Sequence, residues 1–160
     1  NANECEYIIL VGSETGNSFK FANIFFESLV KAGKSVFISP LNNYKKYKKA
    51  KNIIVFTSTY GDGEAPSNAV LFKEKFKKVT HVNEINFSVL GFGSLAYPKF
   101  CQFAMDVYEI FNSNVKFKSI MPLHKINEQS NHDFLEWTKT WSRINLINLG
   151  IKINNSKKEI

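Results

Sequence analysis

Three glycine-bearing loops, each directly behind a short apolar run, constrain this chain more than any other feature. Gly12-Ser13-Glu14-Thr15-Gly16-Asn17-Ser18 follows Tyr7 to Val11. Ser58-Thr59-Tyr60-Gly61-Asp62-Gly63 follows Ile53 to Thr57, and Leu90-Gly91-Phe92-Gly93-Ser94-Leu95-Ala96-Tyr97 begins where the run Phe87 to Leu90 ends. Short continuous apolar runs closed by turn residues read as strands buried on both faces, not as the half-wet strands of an antiparallel meander.

Segments of helical period lie between these runs. Ser18 to Ala32 carries Phe19, Ala22, Phe26, Leu29 and Val30, and stops at Gly33. Ser67 caps a helix that runs to about Lys78, as its sequence position allows. Phe100 to Asn112 places Phe103, Val107, Ile110 and Phe111 on one side, and Asp133 to about Leu146 does the same with Phe134, Trp137, Trp141 and Ile144. Two further strands are expected, Ser35 to Ser39 before Pro40 and Val115 to Met121 before Pro122. Five strands alternating with helices predict an α/β three-layer sandwich around a five-stranded parallel sheet. Right-handed crossovers leave few strand orders, and the order 2-1-3-4-5 opens its crevice between strands one and three. That crevice unites the first two loops, which lie about 45 residues apart in the chain.

The loops differ in the chemistry they offer. The first presents the hydroxyls of Ser13, Thr15 and Ser18, the Asn17 amide and backbone N–H groups freed by Gly12 and Gly16, all at a helix start. Such a site holds a phosphate monoester without a cationic side chain. It lacks the Gly-Lys-Ser/Thr ending of a nucleoside-triphosphate loop and the G-x-G-x-x-G of a dinucleotide loop. An ordinary capped helix entry is the plainer account of the same residues. The second loop exposes Tyr60 at the crevice, where its ring can lie on a planar heterocycle such as an isoalloxazine. Gly61 and Gly63 allow positive φ, so the Gly61–Asp62 peptide can turn its carbonyl toward a protonated ring nitrogen. A tight turn with a surface tyrosine explains it equally simply. In the third loop, Gly91 and Gly93 permit close approach of backbone to a ring edge, Tyr97 can cover the opposite ring face, and Phe100 and Cys101 open the next helix. Cys101 has no neighbouring His or Lys to activate it and is expected to be a small buried residue.

Composition sets the remaining bounds. At 160 residues with 44% apolar content the chain has enough core for one domain, expected to span residues 1–150, with 151–160 a polar tail or the start of a linker. Cys5 and Cys101 show neither C-x-x-C nor zinc spacing, so two free thiols in a reducing, cytoplasmic compartment are expected. His81, His124 and His132 share no ligand spacing and are expected in loops or at the surface; no metal site and no catalytic triad is expected. No run approaches a membrane span, and no signal segment is visible. The chain begins at Asn1 rather than Met, so a segment of a longer or processed polypeptide is expected.

The net charge is +7, almost all from lysine, with Arg143 the sole arginine. Lys45, Lys46, Lys48, Lys49 and Lys51 form the densest cluster. A solvated segment is the ordinary account, and an anionic surface is the functional one. Without arginine or interleaved aromatics, nucleic acid is not the expected partner.

Taken together, the three loops resemble those of the FMN domain of diflavin reductases, a group that includes sulfite reductase flavoproteins, microsomal cytochrome reductases and the reductase part of nitric-oxide synthases. Gly12 to Asn17 is similar to their phosphate loop, Ser58 to Glu64 to the stretch with the first stacking aromatic, and Leu90 to Cys101, the most specific match, to the synthase form. Gly93 to Pro98 together with Pro122 to Asn127 also resembles bacterial PepSY-type flavoproteins, whose flavodoxin domain follows a membrane region. The resemblance implies a flavodoxin-like fold and FMN held by Ser13, Glu14, Thr15, Gly16, Asn17, Ser18, Ser58, Thr59, Tyr60, Gly61, Asp62, Gly63, Phe92, Gly93, Ser94, Tyr97, Phe100 and Cys101. It implies an FAD- and NAD(P)H-binding reductase domain as electron donor, joined in the parent chain as such relatives are fused, a one-electron acceptor downstream, and a parent protein that a membrane region can anchor. No side chain need act as acid, base or nucleophile. Two departures stand out: Lys125-Ile126-Asn127-Glu128 occupies a stretch often acidic in the family, and the domain is basic where many relatives are acidic. A free-standing flavodoxin and a flavin-free interaction module are the two other readings.

Overall fold

In the computed structural model, which describes residues 1–153, strands and helices alternate as expected. The strands are β1 (Tyr7–Gly12), β2 (Val36–Pro40), β3 (Asn52–Ser58), β4 (Ile85–Gly93), β5 (Phe117–Ser119) and β6 (His124–Asn127). The helices are α1 (Asn17–Lys31), α2 (Phe72–Lys78), α3 (Gln102–Asn112) and α4 (Asn131–Asn145). All pairings are parallel, in the order β2-β1-β3-β4-β5, with β6 also on β4.

The expected single fifth strand is split. β5 pairs with the lower part of β4 (Ile85 to Phe87), and β6 with its upper part (Leu90 to Gly93). Pro122, which has no N–H to give to a ladder, sits in the gap. β4 in turn, expected at Phe87 to Leu90, starts two residues earlier and runs three residues further. Gly91, Phe92 and Gly93 belong to the ladder, paired with Thr57, Ser58 and Asn127.

Two apolar layers cover the sheet. On one side α2, α3 and the segment after β2 bury Tyr44, Tyr47, Phe72, Phe76, Phe87 and Phe111. On the other, α1 and α4 bury Phe21, Phe25, Phe56, Phe134, Trp137 and Trp141. Both tryptophans are thus core anchors, their rings against Phe25. The inward stripe of α1 is Phe21, Ala22, Phe25 and Leu29, a phase shift from the expected face: Phe19 and Phe26 are half-buried and Val30 is exposed. In α4, Ile144 likewise lies outside the buried stripe. Ile151 and Ile153 pack half-buried against the second layer; the rest of the expected tail, 154–160, lies outside the described residues.

His81 lies in a loop, as expected, but is partly buried there. Its ring lies 4.5 Å from that of Phe76 and 5.0 Å from that of Phe117. Its nitrogens meet the Tyr44 hydroxyl at 2.9 Å and the Asn114 amide at 3.3 Å. Burial, helped by Lys46, holds its pKa below the usual imidazole value.

Candidate cofactor site

The carboxyl ends of β1, β3 and β4 open into a cleft of about 400 Å³. All three glycine-bearing loops reach it. Glu14, Thr15 and Asn17 come from the first, Ser58, Thr59, Tyr60 and Gly61 from the second, and Phe92, Gly93, Ser94, Tyr97, Phe100 and Cys101 from the third.

The first loop is built around the uncapped start of α1. Gly16 takes a left-handed conformation (φ 89°), which its missing Cβ makes inexpensive, and no side chain caps the helix. First-turn amides of α1 therefore remain for an external acceptor. Ser13 and Ser18 do not line the cleft; both are buried and brace the loop. The Ser13 hydroxyl accepts from the Gly16 amide at 2.7 Å, and the Ser18 and Ser58 hydroxyls bond at 2.6 Å. Glu14 accepts from the Ser67 amide at 2.7 Å, and the Ser13 amide donates to Asn68 at 2.8 Å. The loop is thus fastened to the short turn ahead of α2.

In the second loop, paired backbone bonds between Tyr60 and Glu64 (2.7 and 2.8 Å) close the base of a three-residue turn. Gly61 (φ 54°) and Gly63 (φ 95°) occupy left-handed geometry in it. The tight turn and the presented tyrosine are therefore one structure: Tyr60 is 50% exposed. Asp62 and Gly63 lie outside the cleft wall, with Gly63 against the Lys99 stem. The Thr59 hydroxyl accepts from the Phe103 amide at 2.9 Å, and so supports the first turn of α3 from the neighbouring loop.

The third loop carries Tyr97, 65% exposed at the cleft. Gly91 plays a different part from the one expected of it. A Cβ there would lie 2.6 Å from that of Ala104, so this glycine admits α3 rather than a ligand. The Phe92 ring is stacked on Phe21 (5.2 Å) inside the core. Cys101 is buried in a left-handed conformation, and burial pushes its thiol up to about 11. It is a packing residue and not a thiolate at neutral pH.

Lys99, Glu128 and Gln129 also line the cleft and were not anticipated. Glu128 and Gln129 are both left-handed (φ 55°). The Glu128 amide donates to Gly93 at 2.9 Å, and its carboxylate accepts from Ser94 at 2.8 Å. Asn127 takes the Leu95 amide at 2.8 Å. The signals in the sequence were the polar run Asn127-Glu128-Gln129-Ser130 ahead of a helix and the family departure at Lys125 to Glu128.

A family comparison decides the identity of this arrangement: the flavodoxin family matches residues 9–141. The chain belongs to the flavodoxin family. Among curated relatives, the sulfite reductase [NADPH] flavoprotein alpha-component of Bacillus subtilis (strain 168) is 35% identical over 61% of this chain and 17% of its own length. That of Shewanella sp. (strain ANA-3) is 32% identical over 72% of this chain and 20% of its own. The chain thus spans a fifth or less of these relatives. Among solved structures, the flavodoxin of Streptococcus pneumoniae TIGR4 superposes with a TM-score of 0.74 at 24% identity, covering 88% of this chain and 97% of that one. Oxidised flavodoxin 1 of Bacillus cereus gives 0.73 at 15%, with the same coverage.

FMN is the cofactor that accompanies this family, and the cleft suits it. Uncapped helix amides and neutral hydroxyls fit a phosphate tail. Two exposed tyrosines on the same cleft fit a planar ring with two faces. At Gly93, which lines the cleft, a Cβ would stand within 3.3 Å of the Phe100 ring and the Cys101 amide, so this glycine lets the entry to α3 pack against the end of β4.

Proposed function

We propose that this domain is an FMN-dependent electron shuttle. It takes electrons from an FAD- and NAD(P)H-binding reductase domain, joined to it in the parent chain, and passes them singly to a downstream acceptor. The observation that carries the reading is the cleft itself, where Tyr60, Tyr97 and the open start of α1 meet. The resemblance to parts of sulfite reductase flavoproteins supports a reductase domain as the donor. A reducing, cytoplasmic setting fits two free thiols.

Bound FMN supplies the redox chemistry. The protein's residues hold and orient it. The first-turn amides of α1, with Thr15 and Asn17, would hold the phosphate; Tyr60 and Tyr97 would flank the ring and keep water from it; the Gly61–Asp62 peptide, at the tip of its turn, would offer its carbonyl as an acceptor to the ring edge. Ser13, Ser18, Ser58, Thr59 and Ser94 brace these parts through the bonds described above, and Asp62 and Gly63 shape the turn. No side chain serves as acid, base or nucleophile.

The test is reconstitution. The purified domain takes up FMN with quenching of flavin fluorescence, does not oxidise NADPH alone, and is reduced once an FAD-containing reductase is added. Rapid NADPH oxidation by the domain alone would refute the shuttle role, and failure to bind FMN would leave only an interaction module. The near-complete coverage of free-standing flavodoxins supports a second reading, a carrier that meets its partners by diffusion; the length of the parent reading frame separates the two.

A further inference from the structure

The segment between β2 and β3 replaces a crossover helix, and its sequence alternates in threes. Tyr44, Tyr47 and Ala50 are 3–4% exposed, whereas Lys45, Lys46, Lys48 and Lys49 between them are all exposed. The buried residues fix the lysines outward. The Tyr44 ring packs 5.3 Å from Phe72 and 5.4 Å from Phe76 of α2. The segment and α2 therefore cover the same side of the sheet next to each other, and the exposed Lys73, Lys77 and Lys78 of α2 join the same face. Residues 41–51 and 72–78 hold nine lysines and one carboxylate, Glu74. Glu74 lies 3.9 Å from Lys77, and Glu6 lies 3.6 Å from Lys51.

The segment is held in place. The Tyr44 hydroxyl meets His81, Asn83 donates to the Lys48 carbonyl at 2.7 Å, and Asn42 bonds both Ser67 and Leu71. It descends to Lys51, which immediately precedes the first residue of β3, so the lysines gather toward the amino edge of the sheet. The cleft opens at the carboxyl edge. A surface lying against the lysine face leaves the cleft accessible.

We propose that this lysine face docks the domain on an anionic lipid surface. The chemistry favours lipid over other polyanions. Every aromatic side chain of the face points inward, so no ring is offered for base stacking or as a protein–protein anchor. No arginine is present to grip a phosphodiester or carboxylate in two-pronged fashion. Lysine charges on flexible stems suit a plane of mobile headgroups, which rearrange beneath them. The proposal does not depend on flavin binding.

The experiment is sedimentation with phosphatidylcholine vesicles containing 30% phosphatidylserine, the protein being read on gels so that bound flavin is irrelevant. Two triple variants of equal net charge are compared with the unmodified chain. Lys45→Gln/Lys48→Gln/Lys49→Gln removes charge from the face; Lys20→Gln/Lys31→Gln/Lys139→Gln removes it from α1 and α4 on the other side. At low salt the unmodified chain partitions onto the anionic vesicles and not onto pure phosphatidylcholine. Each lysine of the face contributes roughly fivefold, so the first triple loses on the order of a hundredfold, and the second far less. Unchanged thermal melting confirms that both triples fold. Equal losses in the two triples would overturn the proposal, as would absence of partitioning. Binding to a short DNA duplex or to polyglutamate without binding to vesicles would assign the face to another partner and overturn it too.

Discussion

The hydroxyls of Ser18 and Ser58 lie 2.6 Å apart, joining the first turn of α1 to the last residue of β3 across the crevice floor. In the proposed FMN-binding arrangement, this bond would fix the spacing between the loop at the start of α1 and the loop that carries Tyr60. Ser18→Ala and Ser58→Ala are each expected to weaken FMN binding, and the double variant no more than slightly beyond either. A double-mutant cycle by calorimetry should give a coupling of about 0.5–1.5 kcal/mol. Simple additivity would mean that the bond carries no positional role.

Tyr97→Ala removes a stacking surface and is expected to weaken FMN binding by roughly 1–3 kcal/mol, by analogy with base–aromatic stacking. Tyr97→Phe should retain most of the affinity, because the ring and not the hydroxyl makes the contact. Fluorescence titration of the apoprotein measures both, and full affinity in the alanine variant would remove this ring from the site.

Gly91→Ala forces a Cβ to within 2.6 Å of Ala104 in α3. Overpacking of this kind costs about 1–3 kcal/mol. The compensating pair Gly91→Ala/Ala104→Gly should recover part of that loss, and urea melts of the single and double variants beside the unmodified chain test it. An unaffected single variant would show that α3 can move away without penalty.

The lowered pKa of His81 makes stability depend on pH. Above about 6.5 the imidazole is neutral whether folded or unfolded, and its packing is fully expressed. As pH falls below that value, the unfolded chain binds the proton first, so the unfolding free energy declines until the folded pKa is passed. His81→Gln should flatten this part of the profile in urea melts between pH 5 and 8, while lowering stability at pH 8.

The raised pKa of Cys101 makes it inert while the protein is folded. Iodoacetamide at pH 8 should leave Cys101 unlabelled in the native protein and label it after denaturation. Peptide mass spectrometry distinguishes the two states; rapid native labelling would show that the α3 entry opens.

Much of this was legible because it rests on local rules. The runs ending at Val11, Thr57 and Leu90 are apolar apart from Thr57 and Ser88, so their burial as parallel strands follows from pattern, and Gly16 and Gly61 mark turns that other residues resist. Three features were hidden for physical reasons. Pro122 reads as a strand end, but whether the chain stops there or resumes its pairing at His124 is decided by β4. Glu128 and Gln129 adopt left-handed backbone without glycine, and carry no local sign of it. Thr59 supports a helix that begins over forty residues later, a bond that only the folded chain brings together. The phase of α1 was misjudged because Phe19, Phe21, Phe25 and Phe26 offer two overlapping stripes.

The split of the last sheet position has a consequence for biosynthesis. The far wall of the cleft, Glu128 and Gln129, follows β6 and is made only after nearly all other elements. A nascent chain halted before Asn127 already has β1, β2 and β3 for its centre and the phosphate loop at their edge, but lacks the strap that closes the opposite rim. Closure of the cleft therefore waits on the segment after β6, and a fragment ending before Asn127 is expected to hold FMN less tightly than the whole domain.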